Sequence, residues 1–91
     1  ENATIIVLDI QGKETSSEAL ASRIERYTVE GVSHLVFVIG GSDGLTNAVK
    51  ERASLRMSFG PITLPHNLAR VVLLEQVYRA FKIIKREPYH K

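Results

Sequence analysis

Cysteine and tryptophan are absent from this chain of 91 residues, and methionine occurs once. Without cysteine there is no disulfide framework and no thiolate metal site. That fits a reducing compartment. The three histidines, His34, His66 and His90, show no metal-ligand spacing, and neither H-x-x-x-H nor H-E-x-x-H occurs. No G-x-S-x-G marks a hydrolase nucleophile, and no spacing of carboxylates suggests a glycosidase pair. The longest apolar runs, Thr4 to Leu8 and Val71 to Leu74, fall far short of the roughly 20 residues needed to span a bilayer. No signal-peptide pattern opens the chain, so a soluble protein is expected. Nor is there an initiator methionine: Glu1-Asn2-Ala3 leads straight into an apolar run, which reads as a clipped or partial protein.

What is present fits one small domain spanning residues 1–91. A chain this short buries a modest fraction of its surface and often relies on a partner. The net charge of +2 conceals an asymmetry. Residues 1–45 carry three Lys or Arg against seven Asp or Glu, whereas residues 46–91 carry nine against three. A basic half suggests a polyanion partner, although a solvated charged surface explains the same numbers.

The apolar pattern predicts alternating strands and helices. Thr4-Ile5-Ile6-Val7-Leu8 and Leu35-Val36-Phe37-Val38-Ile39 are nearly continuous β-branched and apolar runs. Such runs mark strands covered on both faces, as in a parallel sheet. Thr15 and Glu18 read as a capping box opening a helix that carries Leu20, Ile24 and Tyr27 and stops at Gly31. A short helix is expected from Thr46 to Ala53, a third strand from Leu55 to Phe59, and a long helix from His66 to Lys85. The tail from Arg86 contains Pro88 and should leave the helix. The alternation predicts an α/β architecture with a mainly parallel sheet.

On a helical wheel the long helix shows two apolar stripes, Leu74, Tyr78 and Phe81 on one, Leu73, Val77, Ala80 and Ile84 on the other. Their combined arc exceeds the roughly 100° that one sheet requires. One stripe should cover the sheet and the other should meet a second chain, so a homodimer is expected, a helix wedged into one core being the alternative. Glu75, Gln76, Arg79 and Lys82 share the remaining side. Arg70 falls inside the apolar arc, where its guanidinium needs a partner. A carboxylate, a helix-terminal carbonyl, a ligand carboxylate or an RNA phosphate would each serve.

Gly40-Gly41-Ser42-Asp43-Gly44 follows the second strand, at the kind of strand end where open α/β sheets bind ligands. It matches neither the dinucleotide fingerprint nor a P-loop, and as a bare pattern a plain turn is the better reading of it. Gly60-Pro61-Ile62-Thr63-Leu64-Pro65 is a stiff loop before a helix N-terminus, where backbone groups can read a purine edge. His66 reads first as a residue that begins or caps the long helix.

Together these segments resemble one family. Phe37 to Leu45, Ile62-Thr63-Leu64-Pro65-His66, Leu74 to Ile83 and the terminal Pro88-Tyr89-His90-Lys91 occur in the order seen in the RlmH family of SPOUT methyltransferases. The resemblance runs from Val7-Leu8-Asp9 to the last residue. It implies a SPOUT-type α/β trefoil knot, truncated here at the amino terminus because the family's chains begin with a further strand and helix. It implies S-adenosylmethionine-dependent methyl transfer to N3 of a pseudouridine in large-subunit ribosomal RNA, in the cytoplasm, with a homodimer acting on the subunit or whole ribosome.

By position in the family's motifs, Leu8, Gly41, Gly60, Pro61, Ile62, Thr63, Leu64 and Pro65 would bind the cofactor. The active site would lie across the dimer interface, with the tail contributing. Methylation of an imide nitrogen needs that nitrogen to lose its proton, so a base or cation near the ring helps. His66, Arg70, Tyr89 and His90 are the candidates, with Arg70 and the tail better suited to hold the nucleotide. Arg70, Lys82, Lys85, Arg86 and Lys91 would meet phosphate. The alternative reading is a non-catalytic α/β RNA-binding or dimerisation module, which needs no cofactor. A nucleotide-dependent oxidoreductase is disfavoured by the missing glycine fingerprint.

Overall fold

In the computed structural model, residues 3–40, 47–60 and 64–89 are described. The element order is β1 (Thr4–Glu14), α1 (Ser17–Val29), β2 (Leu35–Ile39), α2 (Asn47–Arg52), β3 (Leu55–Ser58) and α3 (His66–Ile84). The three strands form one parallel sheet in the order β2-β1-β3. The expected α/β class and parallel sheet are therefore present.

Strand β1 is central, and its apolar run earns that place. Ile6 and Val7, successive residues that point to opposite faces, are both fully buried. Ile6 stands beside Phe37 and Leu55, and Leu8 beside Ile39 and Met57. Both sets lie on one face, against a core of Leu20, Ala21, Ile24 and Tyr27 from α1 and Ala80 from α3. Small residues at Ala69 and Ala80 let α3 lie close to its neighbours. The Tyr27 hydroxyl is carried into this core without a hydrogen-bond partner among the described residues.

Several boundaries differ from the sequence reading for local reasons. β1 runs on to Glu14, well past Leu8, with an irregularity between Leu8 and Lys13. Leu8 and Lys13 both stand opposite Met57, so the residues between them form an excursion from the ladder. The helix cap is Ser16, whose hydroxyl accepts from the Ala19 N–H at 3.0 Å. Thr15 instead donates its hydroxyl to the Lys13 carbonyl, so the capping residue lies one position later than the Thr15–Glu18 pattern suggested. Helix α1 ends as expected at Gly31, whose N–H reaches Thr28 while Val32 N–H reaches Tyr27. Gln76, placed outward by the wheel, instead accepts a hydrogen bond from Ser17 at the start of α1.

Candidate functional site

The register of the sheet gathers the expected cofactor elements at one end. Leu8 pairs with both Ile39 and Met57, so β2 and β3 end within a residue of the level of Leu8, where β1 leaves the ladder before rejoining it at Lys13 and Glu14. The chain leaves β2 there through Gly40 and leaves β3 through Phe59 and Gly60. This is where parallel α/β sheets bind ligands, because helices cover the faces and the loops beyond the strand ends are free. Leu8 is half-buried, as is Leu64, and Pro65 is exposed at the start of α3. Gly41, Pro61, Ile62 and Thr63 lie outside the described residues.

The exit from β3 is built firmly. Ser58 is buried, and its hydroxyl accepts the Gly60 N–H at 2.9 Å and donates to the Gly60 carbonyl at 3.1 Å. Gly60 has φ of 104°, a left-handed conformation that side-chain-bearing residues rarely adopt. Beyond it, Pro65 caps α3 without a side-chain hydrogen bond, its carbonyl accepting from Ala69 at 2.9 Å.

The excursion of β1 is closed by a pair that the sequence reading did not select. Asp9 Oδ2 accepts from Arg56 Nε at 3.1 Å and from Nη2 at 2.7 Å. Asp9 Oδ1 accepts from the Gln11 N–H at 3.1 Å. Burial raises the Asp9 pKa, but the Gln11 N–H and the Arg56 guanidinium outweigh it, and the carboxyl sits below its ordinary value. Gly12 lies so close to the backbone of Arg56 that a Cβ there would meet its carbonyl carbon and oxygen at 2.7 Å. Asp-x-Gln-Gly was legible as a turn signal, but the partner on β3 was not.

Of the catalytic candidates, His66, Arg70 and Tyr89 lie among the described residues. His66 and Arg70 are both exposed, one turn apart on α3. Arg70 makes no ion pair among the described residues, and its place between the stripes is exposed rather than buried. Tyr89 lies against the other half of α3: its ring meets Tyr78 edge-on at 5.1 Å between centroids. Twelve residues of helix separate His66 from Tyr78, about 18 Å of rise. Lys85 and Arg86 are exposed near the carboxyl end of α3. Lys82 is half-buried and engaged, its ammonium paired with Glu87 and 5.2 Å from the centre of the Tyr78 ring. His90 and Lys91 lie outside the described residues. One apolar stripe of α3 stays uncovered, with Val71, Leu74, Tyr78 and Phe81 all exposed.

A family profile described as "Predicted SPOUT methyltransferase" matches residues 1–90. The chain belongs to the SPOUT methyltransferase family. Its curated relatives include the ribosomal RNA large subunit methyltransferase H of Leuconostoc mesenteroides, 54% identical over 87 residues, which is 96% of this chain and 55% of that protein. The protein of the same name from Bifidobacterium animalis subsp. lactis is 54% identical over 91 residues, 100% of this chain and 57% of the relative. That from Carboxydothermus hydrogenoformans is 55% identical over 87 residues, 96% of this chain and 55% of the relative. The chain thus spans about half the length of the curated relatives it matches. A SPOUT methyltransferase requires a methyl donor. No described helix is long and apolar enough to cross a membrane.

Proposed function

We propose that this chain carries the donor-binding and methyl-transferring part of an enzyme that methylates N3 of a pseudouridine in large-subunit ribosomal RNA, using S-adenosylmethionine in the cytoplasm. The observation that carries the proposal is the common level of Leu8, Ile39 and Met57, which puts the two glycine-bearing exits at the same end of the sheet, on either side of β1. The site fits a nucleoside. Gly60 lacks a side chain to obstruct backbone approach, its backbone is tied to buried Ser58, and no atom of the described residues other than its chain neighbours lies within 4 Å of where a Cβ would stand. Leu8 would supply an apolar wall, Gly41 and Gly60 close backbone approach, and Pro61 to Pro65 a stiff rim of amide and carbonyl groups. These loops would be threaded as the trefoil knot of the family. S-adenosylmethionine, when bound, supplies an electrophilic methyl group.

The chain's own residues then hold the nucleotide and assist departure of the imide proton. His66 and Arg70 face solvent at the start of α3, where an incoming base and its phosphate can reach them. The Tyr89 phenol donates to Glu75, which raises its pKa and keeps it protonated. Tyr89 is accordingly a holding group, while His66 and His90 remain the candidates for receiving the proton. Lys85, Arg86 and Lys91 supply phosphate contacts, with Lys82 joining them from its pair with Glu87.

A homodimer would complete the site. The exposed stripe Leu68, Val71, Leu74, Tyr78 and Phe81 runs along most of α3 and is nearly symmetric about Leu74. Two copies packed antiparallel along it would bring the tail of one toward His66 and Arg70 of the other. The test is transfer of labelled methyl from S-adenosylmethionine to large subunits and to whole ribosomes, for this chain and for one joined to the amino-terminal part of a full-length relative. Label on a pseudouridine supports the proposal. Absence of both label and cofactor binding at millimolar ligand would favour the non-catalytic RNA-binding module.

A further inference from the structure

Past α3 the backbone does not run on into solvent. The Arg86 N–H reaches Ile83 at 2.9 Å and the Glu87 N–H reaches Lys82 at 2.9 Å, a reversal that puts Arg86 at φ 59°. A non-glycine residue in that conformation is strained, so the turn needs contacts beyond it to hold its direction. Those contacts are present. Lys82 pairs with Glu87 across the turn. Tyr89 folds back on α3, where its hydroxyl donates to Glu75 Oε2 at 3.0 Å. The Arg79 guanidinium lies over the Tyr89 ring at 4.9 Å, and the Tyr78 ring meets it edge-on. Glu75 and Arg79 are themselves paired at 2.7 Å, one turn apart. Three side chains of one helix, Glu75, Tyr78 and Arg79, thus converge on Tyr89.

We propose that Glu75 and Arg79 are positioning residues that clasp Tyr89 and fix the carboxy-terminal tail on its own helix, setting where the tail presents itself to the nucleotide. The inference rests on the reading above, in which the tail contributes to the active site. Glu75 holds the hydroxyl, Arg79 holds both Glu75 and the ring face, and Tyr78 closes the edge. Cation–π and edge-on ring contacts at exposed sites are individually weak, so the clasp depends on acting together. Removing one member should loosen the others, which a double-mutant cycle detects as non-additivity. The carboxylate also has a chemical consequence: beside Glu75 the phenol stays neutral with its proton engaged, so the clasped oxygen is left as a hydrogen-bond acceptor.

The test uses Glu75→Ala, Glu75→Gln, Tyr89→Phe and the pair Glu75→Ala with Tyr89→Phe, in the same protein used for methyl transfer. Trypsin cleavage after Arg86 reports release of the tail, and 3-fluorotyrosine at position 89 reports the phenol's titration by fluorine NMR. In Glu75→Ala, cleavage should quicken about fivefold at unchanged melting temperature, as expected when only a local segment opens. The phenol midpoint should fall. The turnover number should drop about ten- to hundredfold, as for a misplaced reacting group, while cofactor affinity and the KM for ribosomes hold. Glu75→Gln should recover part of this, and the double variant should resemble Glu75→Ala.

Unchanged cleavage and an unchanged midpoint in Glu75→Ala would overturn the clasp. A released tail with undiminished turnover would overturn the positioning role and leave the methyltransferase reading standing. An unaltered protein that neither binds S-adenosylmethionine nor transfers methyl would remove that reading, and the positioning role with it.

Discussion

Replacing Gly12 with alanine tests whether the excursion of β1 is as tightly seated on β3 as the geometry shows. The added Cβ would stand 2.7 Å from the carbonyl carbon and oxygen of Arg56 and 3.0 Å from the Asp9 carbonyl. Ordinary contact begins at 3.4 Å, so the two segments must separate by about 0.7 Å. All three opposing atoms are backbone, so no side chain can rotate aside. Overpacking of this kind costs about 2 kcal/mol. In a domain of this size that lowers the melting temperature by about 8–16 °C. The displaced segment adjoins Leu8, so affinity for S-adenosylmethionine should fall as well. Thermal unfolding followed by circular dichroism measures the first effect and calorimetric titration the second. Gly60→Ala is the contrast: it meets no atom of the described residues other than its chain neighbours within 4 Å, and its cost comes only from a φ of 104°, about 1–2 kcal/mol. A Gly12→Ala protein melting within about 2 °C of its parent would refute the seating argument.

Other substitutions probe separate parts of the structure. Tyr27→Phe removes a buried hydroxyl with no partner among the described residues, so chemical denaturation should show equal or greater stability, by up to about 1 kcal/mol. Asp9 has a folded pKa below its ordinary 3.8, so its pair with Arg56 stabilises fully above that value, and the contribution is lost as pH falls through the folded pKa. Asp9→Asn should therefore be less stable than the parent at neutral pH, with the difference shrinking as the pH falls below 3.8 in acid titrations; a constant difference would contradict the assignment. Ser58→Ala frees the Gly60 backbone and should weaken S-adenosylmethionine binding more than it lowers the melting temperature. Arg70→Ala should leave cofactor affinity intact and reduce the salt dependence of ribosome binding by about one phosphate contact.

Legibility followed locality. The strands were readable because Ile5 to Leu8 and Leu35 to Ile39 leave no polar face, a pattern that only a covered sheet satisfies. Helix α3 was readable from its stripes, and the exposed one appeared where the wheel put it. Features that depend on pairs distant in sequence were not readable. Asp9 and Arg56 meet only because β3 lies beside β1, and Gln76 turns inward only because the start of α1 is there. The length of β1 was hidden because Gln11, Gly12 and Lys13 carry no apolar signal, while the return to the ladder at Lys13 and Glu14 depends on the backbone of β3. Proline 88 signalled the end of the helix correctly, but not the return of the tail, which follows from Tyr89 finding Glu75 fourteen positions earlier. The cofactor surface was legible only through the family's motifs, since a glycine loop after a strand is by itself compatible with a plain turn.

Backbone amide mapping during titration with S-adenosylmethionine tests the central claim most directly. The account predicts saturable shifts concentrated at Leu8, Ile39, Gly40, Gly60 and Leu64, with the far end of the sheet at Thr4, Leu35 and Leu55 unmoved. Shifts centred on that opposite end, or none at millimolar ligand, would contradict it.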